Sequence, residues 1–450
     1  MTTDPREVLD KAPLSLLQMT VVAITCVLNG LDGFDVLAIS FASPGIMAEW
    51  GMERGALGIL LSMELIGMAV GSIVIGGVAD KLGRRYTALG CLTIMAVGMW
   101  LTPLSKGLAV LSVIRIFTGL GLGGLLTAIN ALSAEFGNQK RRHQCVSIMS
   151  IGYPIGGIIG GIIASKLLAV YSWRSVFYFG AIVTTLTIPV VYFLVPESVH
   201  WLVRKQPKDA LKKINAAMRR MGHKIIDALP VVAPEVRKKS VSDLFSPGLA
   251  RITTIVTAAY FLHIITYYFI LKWVPDVVVS LGFSPSYAAN ILVCANIGGA
   301  VGGTIFGFLT LRFDPKKLTV AVMALGGVLI GIFGYTPMIF SQTPALLGQI
   351  PVELVNIGLI AFFCGLFGNT AIIGMFALFA HAFPTHVRAS GTGFGIGIGR
   401  GGAILSPILV GFLFQWNFPL PVVTTIISVG SVLGAAVLLF LKLREGEKTA

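Results

Sequence analysis

Charge is scarce in this chain of 450 residues: only 12% are Asp, Glu, Lys or Arg, against 55% hydrophobic residues and a mean hydropathy of +0.86. So few charges cannot cover soluble domains of that total length, which points to a bilayer as solvent. Cysteine is scarce too. The five (Cys26, Cys91, Cys145, Cys294 and Cys364) are odd in number and show no CxxC or CxxH spacing, which argues against a disulfide framework and a zinc site. No Walker loop, nucleophile elbow or metal-ligand constellation occurs, so no enzyme activity, cofactor or metal is expected. The glycine-rich runs 152–161 and 391–402 follow no strand. They read as close helix packing rather than nucleotide loops.

The apolar residues form runs long enough to cross hydrocarbon, which takes about 20 residues per helix because every backbone amide must be paired internally. Twelve spans are predicted at roughly 16–41, 56–79, 87–104, 108–133, 146–168, 175–195, 251–275, 286–310, 318–340, 354–380, 389–415 and 419–441. The fold class is an all-α membrane protein with 12 transmembrane helices in two pseudo-symmetric six-helix halves. The N-terminal half covers 1–195, a cytoplasmic linker 196–250, and the C-terminal half 251–450. The first run follows an acidic leader (Asp4, Glu7, Asp10) and lacks a cleavage pattern, so it is expected to remain attached. Within the linker, 209–221 forms a basic amphipathic helix with Leu211, Ile214, Ala217 and Met218 on one face.

Acids number 20 against 34 Lys and Arg, a net charge of +14 that in a soluble protein would suggest nucleic acid. Most basic residues fall on one side of the threaded chain, with Arg54, Lys106, Lys166 and Arg174 on the other. That asymmetry is the positive-inside pattern, so both termini are expected in the cytoplasm and no nucleic acid as partner.

Intramembrane charges carry the functional reading, because an ionised side chain there must pair, face a cavity or bind a proton. Asp32 and Asp35 lie three residues apart on one helical face of the first span. Arg115 in the fourth span is their natural partner. Lys272 in span seven and Arg400 in span eleven have no acid nearby in their own predicted spans, which makes them candidate receptors for an anionic substrate. His263, Tyr267 and Tyr268 could stack an aromatic ring and meet its hydroxyls.

After the second span comes Gly76-Gly77-Val78-Ala79-Asp80-Lys81-Leu82-Gly83-Arg84-Arg85. A weaker copy after the eighth has Leu311 at the Asp80 position. The first copy resembles the major facilitator signature. Arg115-Ile116-Phe117-Thr118-Gly119-Leu120-Gly121, Ala134-Glu135 with Arg141-Arg142, Pro196-Glu197-Ser198 and the turn from His381 through Arg388 to Gly391 extend the resemblance over almost the whole chain. It implies a cytoplasmic gate latch formed by Asp80, Arg84, Glu135, Arg141 and Arg388. In related sugar porters a first-span Asp and this fourth-span Arg form a switchable pair, and Asp35 matches that position. Asp32-Gly33-Phe34-Asp35 resembles the aromatic acid:proton symporter family among the major facilitators, which takes up benzoate-like carboxylates. The resemblance implies a monomeric symporter of a bacterial inner membrane, with an organic acid and protons as partners. The alternatives are a sugar or polyol proton symporter and a membrane receptor that binds such acids without translocating them.

Overall fold

A computed structural model describes residues 4–230, 241–340, 346–347, 350–384 and 387–441. Thr385 and His386 of the turn before span eleven, and the tail from Lys442 to Ala450, lie outside the described residues. Among the described residues, twelve helices are long and apolar enough to cross a membrane. In chain order they are α1 (Leu16–Trp50), α2 (Arg54–Leu82), α3 (Arg84–Leu101), α4 (Leu108–Phe136), α5 (Arg142–Val170) and α6 (Arg174–Leu194). Then come α7 (Ala250–Ser280), α8 (Pro285–Leu309), α9 (Pro315–Phe333), α10 (Val352–Ala382), α11 (Arg388–Gln415) and α12 (Leu420–Leu439). The described strands are a two-residue pair, Leu346–Leu347 with Ile350–Pro351. The first helix runs past its expected end at 41, through Pro44 to Trp50.

Two compact units emerge. One holds 1–38, 63–160 and 171–236; the other holds 39–62, 161–170 and 237–450. They are not the two chain halves, since 39–62 and 161–170 come from the first six spans but pack with the second unit. The linker forms two helices, Val199–Lys205 and Ala210–Arg220. The second is the expected amphipathic one. Its Ala210, Ile214, Ala217 and Met218 are buried against protein, leaving Lys212, Lys213, Arg219 and Arg220 outside.

Glycine sets the closest approaches. In the first unit a Cβ at Gly67 or Gly71 would overlap the backbone carbonyls of Ile116 or Leu120, and one at Gly119 the carbonyl of Glu64. Gly156 likewise abuts the Gly30 carbonyl, so α1 and α5 touch backbone to backbone. A backbone neighbour cannot turn aside. Gly156→Val should therefore force α1 and α5 apart and lower stability by more than the 1–3 kcal/mol or so typical of overpacking. Gly77→Val, where nothing lies within 4 Å, is the control, and the fraction of monodisperse protein on size-exclusion chromatography after a heat step reads the difference.

Candidate functional site

The α2–α4 glycine contacts fix how two charged side chains meet. Glu64 on α2 and Arg115 on α4 are both fully buried, and Arg115 Nη1 lies 3.2 Å from Glu64 Oε1. The same nitrogen lies 3.4 Å from Asp35 Oδ1, projected by α1. Arg115 Nη2 donates to Thr118 Oγ1 at 3.1 Å, one turn along α4, and the guanidinium carbon stands 5.1 Å from the Phe177 ring centre. Asp32, one turn before Asp35, is also buried. The expected Asp35–Arg115 pairing is present, and Glu64 shares it.

The second unit repeats this packing register without the charges. Gly298 and Gly302 on α8 meet the Phe362 and Leu366 carbonyls of α10, and Gly365 meets the Ala295 carbonyl. These match Gly67, Gly71 and Gly119 contact for contact. Asn369 Nδ2 donating to the Gly299 carbonyl at 3.0 Å stands where Gly123 meets Met68. In that register Ala295 replaces Glu64, Ala361 replaces Arg115 and Leu311 replaces Asp80. The charged cluster is a property of one half.

At the end of α2, Asp80 Oδ1 accepts from Arg84 Nη1 at 2.9 Å and from Arg204 Nη2 at 3.0 Å. Trp201 Nε1 donates to the Asp80 carbonyl at 3.0 Å. Arg84 Nε reaches Glu135 Oε1 at 3.4 Å, joining α4 to the group. Gly83 cannot cap α3 with a side chain, and Glu197 does so from a distance: its Oε1 accepts from the backbone amides of Arg84 at 2.9 Å, Arg85 at 3.2 Å and Ser198 at 2.9 Å. A carboxylate there also faces the positive end of the helix dipole. Burial nonetheless pushes the Glu197 carboxyl above its usual range, against the pull of those amides. Arg141 is exposed, with its amide on Asn138 Oδ1 at 2.9 Å, and Arg388 Nε donates to the Phe383 carbonyl at 3.3 Å. Neither of those two contacts involves Asp80.

In the second unit Lys272, His263 and Tyr267 are buried on α7, while Tyr268 and Arg400 are half-buried. His263 Nε2 donates to the Gly368 carbonyl at 2.9 Å, and Nδ1 lies 2.7 Å from Ser431 Oγ. Tyr267 stacks on the imidazole, centres 6.3 Å apart and planes 9° apart. With both ring nitrogens engaged, His263 is a wall rather than a donor to solute. The unit also buries Asp276, 3.3 Å from Arg54 Nε, whose guanidinium lies over Phe414. Sequence reasoning missed Glu64, Asp276, Trp201 and Arg204. The first could have been found, because the rule that singles out Asp32 and Asp35 applies to any acid within a span.

Twelve spanning helices with a buried ion cluster define a polytopic membrane protein of the secondary-transporter class. The chain belongs to the Major Facilitator Superfamily, whose model matches residues 25–361 and 256–450. Within it the chain resembles the aromatic acid symporters. It is 27% identical over 439 residues to a gallate transporter of Pseudomonas putida, covering 97% of this chain and 94% of that one. It is 28% identical over 446 residues to a 4-hydroxybenzoate transporter of Pseudomonas aeruginosa, covering 97% and 95%. Among solved structures, a D-xylose-proton symporter superposes with a TM-score of 0.70 at 17% identity, covering 94% of this chain and 97% of that one, which supports the fold alone.

Proposed function

We propose that this protein is a proton-coupled symporter that imports an aromatic or related organic carboxylate across a bacterial inner membrane by alternating access, both termini in the cytoplasm. One observation carries the coupling: Asp35 and Glu64 share a single guanidinium nitrogen inside the spans. Two ionised carboxylates on one cation leave a net buried negative charge, and one bound proton makes the trio neutral. Loading and releasing that proton changes which helix Arg115 holds. A monoanion carried with that one proton moves no net charge and draws on the pH gradient; a second proton would bring one net charge inward, worth about 2.3 kcal/mol per 100 mV of membrane potential.

The substrate reading rests on the gallate and 4-hydroxybenzoate transporters among the relatives and on cations in the second unit. Arg400 and Lys272 supply charge for a carboxylate, and Tyr267, Tyr268 and His263 an aromatic wall. Guanidinium can engage both carboxylate oxygens and keeps its proton on burial, so Arg400 is the stronger anchor. Arg400→Lys should weaken acid binding by about 1.5–3 kcal/mol, and Arg400→Gln should weaken it further and erase the preference for an acid over its neutral amide. Titration calorimetry with such a pair checks this; a Gln variant that still prefers the acid moves the anchor to Lys272.

The deciding experiment is counterflow in proteoliposomes with benzoate, hydroxybenzoates, gallate, an aliphatic diacid and xylose. Exchange of an aromatic acid accelerated by an inward proton gradient is expected. Exchange of xylose alone would establish the sugar porter, and saturable binding of acids without exchange the receptor.

The Asp80 cluster is proposed as the cytoplasmic latch, with Arg84 and Glu135 in contact and Arg141 and Arg388 assigned to cytoplasmic turns by the expected threading. Asp80→Asn keeps the shape and removes the charge that two guanidiniums share. Net transport should fall several-fold while equilibrium affinity stays within about threefold, because about 1.4 kcal/mol between conformers changes their ratio tenfold. Labelling of a cysteine placed in the cytoplasmic vestibule should quicken; an unchanged rate would remove Asp80 from the latch.

A further inference from the structure

The last turn of a helix leaves carbonyls with no partner inside it. At the end of α6 two guanidiniums from elsewhere in the first unit meet that need: Arg85 Nη2 donates to the Tyr192 carbonyl, and Arg220 Nη2 donates to those of Phe193 at 3.0 Å and Leu194 at 3.4 Å. Three successive carbonyls thus gather a cation from α3 and a cation from the linker helix Ala210–Arg220 at one place. A helix C-terminus carries only about half a negative charge, so two guanidiniums leave positive charge in excess. Neither forms an ion pair with a carboxylate among the described residues. Both remain open to the outside, Arg220 exposed and Arg85 half-buried.

The neighbours of this charge fix its depth. Because α6 is a span, its end marks the edge of the hydrocarbon. The Arg85 guanidinium lies 5.6 Å from the Tyr86 ring centre and 5.2 Å from that of Tyr192, and Tyr86, Tyr192 and Phe193 are all exposed. Exposed aromatics at the end of a span sit at the level of the lipid head groups. The linker helix adds another cation there: Lys213 precedes Arg220 by seven residues, which puts it about 20° away around the axis and roughly 10 Å along it. Lys212 and Arg219 have the same spacing but lie about 100° around the helix from that stripe. All four are exposed, while Ile214, Ala217 and Met218 are buried in protein. With its apolar face already covered, the helix offers the bilayer charge and not an inserting surface.

We propose that Arg85, Lys213 and Arg220 at the end of α6 form a binding site for the head group of an anionic phospholipid. Each guanidinium uses only its Nη2 in the helix-end hydrogen bonds, which leaves further N–H donors for phosphodiester oxygens. A zwitterionic lipid presents the same phosphodiester, but its own ammonium offsets the charge. Excess positive charge therefore selects lipids with a net negative head. A lipid also brings its phosphate to this depth already, which a free ion does not. The site includes no residue of the Asp35–Glu64–Arg115 cluster and does not depend on the proposed transport substrate.

The test follows the melting temperature of the purified full-length protein in detergent against short-chain phosphatidylglycerol, short-chain phosphatidylcholine and inorganic phosphate at constant ionic strength. A ligand that binds only the folded state raises that temperature saturably. Phosphatidylglycerol should do so with a midpoint at least about tenfold below that of phosphatidylcholine, and inorganic phosphate should give no saturable shift over the same range. Lys213→Gln with Arg220→Gln should raise the phosphatidylglycerol midpoint at least about tenfold, and Arg85→Gln alone at least about threefold. Lys212→Gln with Arg219→Gln removes the same charge at the same spacing from the same helix, so its midpoint should move by less than about threefold. Exposed positions on a surface helix tolerate such changes, and the lipid preference of the native protein is a readout that needs no variant to fold. A saturable response to inorganic phosphate at the same concentrations would make this a free-anion site and overturn the lipid assignment. Equal midpoints for the two lipids, no response to phosphatidylglycerol, or equal losses in the two double variants would overturn the site itself.

Discussion

Asp35→Asn should reduce proton-driven accumulation of substrate at least about tenfold while exchange and binding survive, and Glu64→Gln should do the same. In the native trio two carboxylates compete for Arg115 Nη1 at 3.4 and 3.2 Å. Neutralise either acid by an amide of the same size and the other pairs with Arg115 permanently. The trio is then neutral with no proton bound, and no member of it titrates as the helices rearrange. Counterflow, which needs only the conformational cycle with substrate aboard, remains. The comparison is uptake under an imposed pH gradient against counterflow in the same vesicles. If Asp35→Asn accumulates substrate like the native protein, the coupling assignment is lost. If only Glu64→Gln does, Asp35 alone carries the proton.

The matching contacts of the two units sharpen this expectation. The α2–α4 and α8–α10 pairs share one glycine register, yet Ala295 and Ala361 occupy the places of Glu64 and Arg115. Duplicated packing with unduplicated charge separates the two demands on these residues. Glycines at those positions answer to helix approach and are needed in both halves. The acids and the arginine answer to a task that one half performs, and Leu311 in place of Asp80 extends the asymmetry to the helix end.

That division also explains what could be read beforehand. Span number, the linker helix and the first-span acids follow from hydropathy, periodicity and the cost of charge in hydrocarbon, all local properties of the chain. The Asp35–Arg115 pair was legible because each residue lacked any other reason to be in a span. Glu64 obeys the same rule but sits alone in an apolar run, without the neighbour that makes Asp32 and Asp35 conspicuous. His263 shows the opposite limit: its spacing from Tyr267 correctly placed the two rings together, but its hydrogen bonds go to Gly368 on α10 and Ser431 on α12. Partners a hundred and more residues away leave no trace in local spacing. The same holds for Glu197, which caps a helix that begins at Arg84.

Removing the cation of the trio should be more damaging than removing either acid. Arg115 is fully buried, and Arg115→Gln would leave Asp35 and Glu64 facing each other without it. Breaking a buried ion cluster by deleting one partner costs about 3–5 kcal/mol, because the remaining charges stay desolvated. Binding protons offsets part of that only by abolishing the switch. The variant should therefore accumulate poorly in membranes, melt well below the native protein in detergent, and not transport. Arg115→Lys keeps the charge but offers one ammonium where a planar fork served Asp35, Glu64 and Thr118, so it should fall between the two. The decisive case is the triple variant Asp35→Asn, Glu64→Gln, Arg115→Gln. Replacing every member of a buried ionic group by neutral residues of similar size is often neutral or stabilising. Its melting temperature should return toward the native value while accumulation stays absent. A triple variant that melts as low as Arg115→Gln would show that Arg115 holds α4 through its contacts with Phe177 and Thr118, and that its charge is incidental to folding.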